Sequence, residues 1–445
     1  ITKRLNCLIW VINCIFVLHL NCKLFFMTER LLQYIWQFQY FNPTGLFTEE
    51  GEPLQIIKPG TFNTNQGPDF TNAKIKTDNT VWAGSIEIHI KSSDWKNHKH
   101  SSDINYKNVI LHVVWENDAT LNLPFATLVL QDKVPKLLLK RYDVLMNTEN
   151  FIPCEKSIHQ INTLTWQSWK DRLLAERLLA KTLAIFNYLQ ATNNHWEEAF
   201  WWLLAKNFGI KLNSVAFEKI AQSIPLNILA KHKGQINQIE ALLLGQAGLL
   251  QEDFKEDYPK LLQKEYSFLQ KKYKLKKVEA SLIFLRMRPL NFPSIRLAQL
   301  AMLIHQSLHL FSKIKESKSV IEIKALLNVT ANDYWHYHYI LDEPSEYKKK
   351  KLGQQMIDNI LINTVVPVLF AFGHYHNEEQ YKDRALQWLM EIKAEQNSIC
   401  KGFVAVQVEN KNAFDSQALI QLKNEYCNKK RCLDCSIGNK LIQSA

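Results

Sequence analysis

The chain has little of what punctuates, repeats or cross-links a protein. Its 445 residues include only 13 glycines and 13 prolines. No low-complexity tract or internal repeat interrupts them, which excludes collagen-like, solenoid and largely disordered chains. Charged residues at 22% and hydrophobic ones at 47% are ordinary for a globular protein. The length favours two or three domains over a single core. Acidic residues are the scarcer sign, 43 against 54 lysines and arginines, for a net charge of +11. That balance favours an anionic partner such as nucleic acid.

Cysteine is scarce too. Of eight, Cys7, Cys14 and Cys22 lie in the apolar stretch "NCLIWVINCIFVLHLNCKLFF", leaving Cys154, Cys400, Cys427, Cys432 and Cys435. An odd number with three clustered near the end argues against a secreted disulfide framework and for a reducing cytosol. The apolar stretch is interrupted by Asn13, His19 and Asn21 and offers no small-residue cleavage site. Residues 1–26 therefore read as translated upstream sequence, with a leader or membrane anchor as the alternative, and no stable membrane association is expected.

Two periodicities follow. From Met27 to about residue 135, a helix over 28–39 precedes strands through "PLQIIKPG", "TNAKIKT" and "TVWAGSIEIHIK", then a helix, then strands through "NVILHVVWEND" and "LPFATLVLQD". Val, Ile and Leu fill "NVILHVVWEND" almost without alternation, as in a strand covered on both faces. Beyond "NTENFIPCEKS" nearly everything has helical period. The expected fold is α+β, with an α/β domain over 27–150 and a mostly helical domain over 151–445.

Metal-capable side chains crowd the first domain. "GPDF" holds Asp69, and the following strand carries Glu87, His89 and Lys91, which share one face because strand residues alternate. Two carboxylates from neighbouring strands suit a hard divalent ion such as Mg²⁺ or Mn²⁺. Such an ion neutralises charge on a phosphate and activates water near neutral pH. The next segment, "SSDWKNHKHSSDINY", offers Asp94, His98, His100 and Asp103 for a supporting or phosphate-contacting patch. His112 lies in the buried strand and reads as a core residue.

The motif and element order resemble the PD-(D/E)xK nuclease superfamily, in which the Asp opens the second strand and the (D/E)xK lies on the third. The resemblance covers about a quarter of the chain. It implies Asp69 and Glu87 as metal ligands, phosphodiester hydrolysis on DNA or RNA, and an α/β nuclease-like core. His89 stands where that family has Lys, so it is expected to act as base or third ligand, with Lys91 as a replacement cation one alternation farther along. A non-catalytic nucleic-acid-binding or scaffold protein with a decayed core is the alternative. Over "GPDF", "WAGSIEIHIKSSDW", "EALLLGQAGLL", "RPLNFPSIRLAQLA" and "YCNKKRCLDCSIGN" the chain also resembles an uncharacterised bacterial domain-of-unknown-function family.

Two further groups carry expectations. Arg286, Arg288 and Arg296 beside Phe292 suit a phosphate backbone, or equally ion pairs within a helical bundle. "YKKKKLG" reads as a solvated loop. Cys427, Cys432 and Cys435, with four and two intervening residues, can converge on one ion. Nucleases of the resembled superfamily that carry an iron–sulfur cluster imply Cys154 as the fourth ligand, with zinc as the competing occupant. Lys429, Lys430 and Arg431 are expected to favour thiolate there.

Overall fold

The computed structural model describes residues 27–443 apart from 277, 280 and 308, so the reading of residues 1–26 lies outside the described residues. The chain forms two compact units: one is built from the chain up to Trp166 together with Asn424–Ala445, the other from Gln167–Lys423. The first unit thus runs past the expected boundary at 150. It also takes in the C-terminal segment that sequence reading gave to the helical domain.

The first unit opens with helix α1 (Glu29–Gln37), whose start is set by Thr28: its hydroxyl accepts from the Leu31 amide. Leu31, Leu32, Ile35 and Trp36 of α1 are fully buried. Seven strands follow: β1 (Leu46–Phe47), β2 (Pro53–Lys58), β3 (Thr61–Phe62), β4 (Phe70–Thr77), β5 (Thr80–Lys91), β6 (Val109–Glu116) and β7 (Ala126–Val129). They form one mixed sheet in the order β1-β2-β4-β5-β6-β7, with β3 beside β4. The pairs β2/β4 and β4/β5 are antiparallel, whereas β5/β6 and β6/β7 are parallel. The parallel pairs need crossovers, and their near-continuous apolar sequence fits burial on both faces.

Between β5 and β6 the expected helix shrinks to one turn, α2 (Asp94–Asn97), followed by two 3₁₀ turns at His100–Ser102 and Ile104–Tyr106. Side chains compete with the backbone there. Asp118 accepts from the Ser93 amide and from the Ser92 and Ser93 hydroxyls, and Asp103 accepts from the Asn105 amide. Helix α3 (Lys136–Asn147) then packs on the core that α1 and the sheet share, and Cys432, Leu433 and Ile442 from the chain's far end complete that core.

The second unit is helical, as its period predicts. A 29-residue helix, Thr163–Ala191, leads into it, and further helices include Trp196–Phe208, Ile236–Gln246, Asp257–Tyr273 and Pro293–Gln306. The apolar helix Gln354–His376, 23 residues long, has length and composition enough to cross a membrane, yet 83% of its apolar window is buried inside the protein. It packs as a core helix. Lys350, expected in a solvated loop, is buried instead, with its ammonium 3.7 Å from the centre of the Tyr339 ring.

Candidate metal centre

Asp69 is placed by a turn that only glycine enters easily: Gly67 has φ +109°. Asn63 pins this turn, its amide donating to the Asp69 carbonyl at 2.7 Å and its side chain to the Pro68 carbonyl at 3.0 Å. Asp69 and β5 then hold each other. The Asp69 amide donates to Glu87 Oε2 at 3.1 Å, and the Ile88 amide donates to Asp69 Oδ2 at 3.1 Å. From α1, Gln33 donates to Asp69 Oδ1 at 2.9 Å and to Glu29 Oε1 at 3.3 Å. Three carboxyls, Glu29, Asp69 and Glu87, thus gather on one wall of the sheet. The expected pair is brought together, and each oxygen of Asp69 keeps a lone pair beyond the hydrogen bond it accepts.

Four histidines stand on the other side of Glu87. His89 Nδ1 lies 2.9 Å from His112 Nε2, and His89 Nε2 lies 3.1 Å from His98 Nδ1. Glu87 Oε1 is 3.5 Å from His89 Nε2 and 3.4 Å from His100 Nε2. The latter approach is misaligned for a hydrogen bond, so His100 Nε2 is buried without a hydrogen-bond partner. Tyr106 covers His100 from outside, with ring centres 3.9 Å apart. Among the described residues, His89, His98 and His100 form the group whose ligand atoms all lie within 4.8 Å of one another.

Burial dominates the electrostatics. It lifts the Glu87 carboxyl to about 9, with Asp69 adding repulsion, and lifts Asp69 to about 6, with Glu29 adding repulsion. It drives His89 down to about 2, helped by His112, His100 and His98, and His112 down to about 4, helped by His100. The result is a buried, lone-pair-rich cluster in which Glu87, Asp69, His89 and His112 are each pushed away from their charged forms. A bound cation complements such a set.

Other expected site residues lie elsewhere. Lys91 is half-exposed and its ammonium approaches Asp118 at 3.8 Å, so it supplies no cation to the carboxyl pair. The nearby cation is Arg30, which lowers Asp69 and also pairs with Asp434 at 2.6 Å. Arg296 is buried in the second unit and donates to Gln299 at 2.9 Å and Asn291 at 2.6 Å, which corrects its assignment as a nucleic-acid contact. Arg286 and Arg288 are exposed in that same unit.

Cys154, Cys432 and Cys435 are brought into electrostatic range of one another within the first unit, and Cys427 is half-buried. Lys430 lowers the Cys432 thiol as expected, but burial prevails. Burial, then Cys435, lifts the Cys432 thiol to about 12, outweighing Lys430, while burial lifts Cys154 to about 12 as well. The basic residues are occupied, Lys430 on the Met146 carbonyl and Lys429 on Glu425.

Sequence reading missed Glu29, Arg30, Gln33 and the bond from His112. Glu29 and Gln33 sit four apart on one helix face, a usable signal, but nothing local says that this face meets Asp69. His112 is in register with Glu87 across the parallel pair β5/β6. A cleft of about 910 Å³, lined by Trp82, Trp95, His100, Tyr106, Lys107 and Phe125 among others, opens beside the histidines.

No curated protein and no solved structure matches the chain. One family does, over residues 29–398, and the carboxyl and histidine cluster lies wholly inside that span. The chain belongs to the family described as "Protein of unknown function (DUF2851)".

Proposed function

We propose that the protein is a metal-dependent hydrolase of phosphodiester bonds in nucleic acid. The observation that carries this reading is the reciprocal clamp between Asp69 and β5, which sets a half-buried and a buried carboxyl side by side at the mouth of β4 and the middle of β5. Their donor set fits a hard divalent cation, Mg²⁺ or Mn²⁺, held by Asp69 and Glu87 with Glu29 within reach of the same wall. Such an ion, when bound, polarises the phosphate and lowers the pKa of a coordinated water. Gln33 and the Ile88 amide orient Asp69, and Asp69 in turn orients Glu87. Exposed Lys96 and Lys99 flank the exposed His98 in sequence, and with exposed Lys107 they supply the charge that draws a phosphate backbone. The thiols of Cys154, Cys427, Cys432 and Cys435 belong to the same reading as a structural site for zinc or an iron–sulfur cluster, since a shared cation would stabilise the thiolate forms that burial and neighbouring thiolates otherwise disfavour. Metal analysis of Cys432→Ser tests it, with loss of stoichiometric zinc or iron expected and unchanged content counting against it.

The decisive experiment is turnover. Purified protein with Mg²⁺ or Mn²⁺ should cut mixed-sequence DNA or RNA, and Asp69→Asn or Glu87→Gln should lower the rate by at least about 100-fold while leaving the thermal midpoint in place. Equal rates in the variants sink the proposal. Salt-dependent binding without cleavage supports the decayed-core alternative, and cleavage of nucleotides but not polymers points to a small phosphorylated substrate.

A further inference from the structure

We infer that His89, His98 and His100, with Glu87 Oε1, form a first-row transition-metal site distinct from a hard-cation site at Asp69. The distances carry this. A tetrahedral site with bonds of about 2.0–2.1 Å has ligand atoms about 3.3 Å apart along its edges. The observed spacings are 3.1 Å from His89 Nε2 to His98 Nδ1, 3.5 Å from His89 Nε2 to Glu87 Oε1, and 3.4 Å from His100 Nε2 to Glu87 Oε1. These three distances match that edge, the ligand atoms of the three histidines all lie within 4.8 Å of one another, and a modest inward shift of the exposed His98 closes the set around an ion. Three imidazoles and one carboxylate favour Zn²⁺, Fe²⁺ or Co²⁺ over Mg²⁺, which takes oxygen ligands.

A second observation points the same way. The His100 side chain is only 10% exposed, and its Nε2 faces the others with no hydrogen bond of its own. A buried nitrogen left unpaired is destabilising unless something binds it. The tautomers are also consistent. For His89 Nε2 to offer its lone pair, its proton must sit on Nδ1, where His112 Nε2 lies 2.9 Å away to accept it. His112 thus orients a ligand, as a carboxylate or carbonyl commonly does in metal sites. Position completes the case. His98 is exposed at the rim while His89 is 1% exposed at the base, so an ion has a route in from solvent.

Glu87 is shared between the two sites. Its Oε2 accepts the Asp69 amide and its Oε1 faces the histidines. The inference stands apart from the hydrolytic reading, because occupancy is measured without any substrate.

The test uses Co²⁺ as a spectroscopic probe on the full chain after chelator treatment. In a Cys432→Ser background, which removes the proposed thiol site and serves as wild type for this test, the chain should take up Co²⁺ with visible d–d bands and without the intense near-ultraviolet charge transfer of thiolate ligation. His98→Ala, an exposed position, should keep its circular dichroism and thermal midpoint but bind Co²⁺ more than about 100-fold more weakly, beyond what loss of a supporting contact causes. Asp69→Asn should bind Co²⁺ as wild type does even where it loses hydrolysis, which separates failure of this inference from failure of the hydrolytic one. Absence of Co²⁺ binding, unchanged affinity in His98→Ala, or uptake seen only as thiolate charge transfer each overturns the assignment.

Discussion

Glu240 in the second unit is fully buried and only partly satisfied. Its Oε2 accepts from Trp335 Nε1 at 3.0 Å and from the Tyr258 hydroxyl at 2.8 Å, while Oε1 has no partner. Burial lifts its carboxyl to about 7, against the pull of both hydrogen bonds. A carboxyl whose folded pKa exceeds its unfolded value holds its proton more tightly in the fold. The associated stability is therefore fully present below the unfolded value of 4.5 and is lost as pH rises through about 7. Glu240→Gln keeps an acceptor for Trp335 and Tyr258, places its amide at the unpaired Oε1 position and carries no charge to bury. Its thermal midpoint should exceed that of wild type at pH 8, by a margin worth on the order of 3 kcal/mol, and meet it near pH 4.5. Thermal melts across that range check the prediction, and a variant that melts below wild type at pH 8 contradicts it.

At the scale of elements, β4, β5 and β6 were legible because alternation and β-branched runs mark strands wherever burial is regular, and α1 because Thr28 marks its start. The segment after β5 was not. Its spacing suggests a helix, but Ser92, Ser93, Asp94 and Asp118 offer the backbone competing partners, so only one turn forms. That failure brings His98 and His100 into the site instead of setting them along a helix face. Half of the site was likewise legible: Asp69, Glu87 and His89 follow from motif and alternation. The bridge from Gln33 spans 36 residues of sequence and rests on how α1 docks, which no local pattern contains. Where β5 meets β6, a single atom decides the approach. A Cβ on Gly84 would lie 2.5 Å from both the Asn108 carbonyl oxygen and Ile110 Cγ2. Gly84→Ala must push the two strands apart, and overpacking of this kind costs about 1–3 kcal/mol. The variant should melt several degrees lower, and if the site is metal-bound it should lose Co²⁺ affinity too, since Glu87 and His89 lie on the displaced strand. An unchanged midpoint would show that β5 and β6 accommodate the methyl.

At the scale of the whole molecule, the first unit is closed by both ends of the described chain. The helix Ser436–Gln443 and the turn before it return to α1 and α3: Tyr34 donates to Asn439 at 2.5 Å, Arg30 pairs with Asp434, and Lys430 donates to the Met146 carbonyl. Gly438 permits that return, because a Cβ there would sit 2.4 Å from the Cys432 carbonyl oxygen. Leu433 enters the same core as Leu31, Ile86, Ile88 and Leu111, so residues more than three hundred positions apart share one apolar cluster. The family match ends at residue 398, before this segment begins. The stability of β5, and with it the geometry of Glu87 and His89, should therefore depend on a stretch that lies beyond the matched region. Leu433→Ala removes buried methyl groups and should cost about 2–5 kcal/mol. Leu137→Ala on α3, at a position 54% exposed, is the matched control and should cost little. Hydrogen exchange resolved by residue distinguishes the outcomes. If the core is shared, Leu433→Ala lowers protection of the Ile86, Ile88 and Leu111 amides while Leu137→Ala leaves them as in wild type. If those amides keep full protection when Leu433 is cut back, the C-terminal segment is an appendage, and the β5 site is held by the matched region alone.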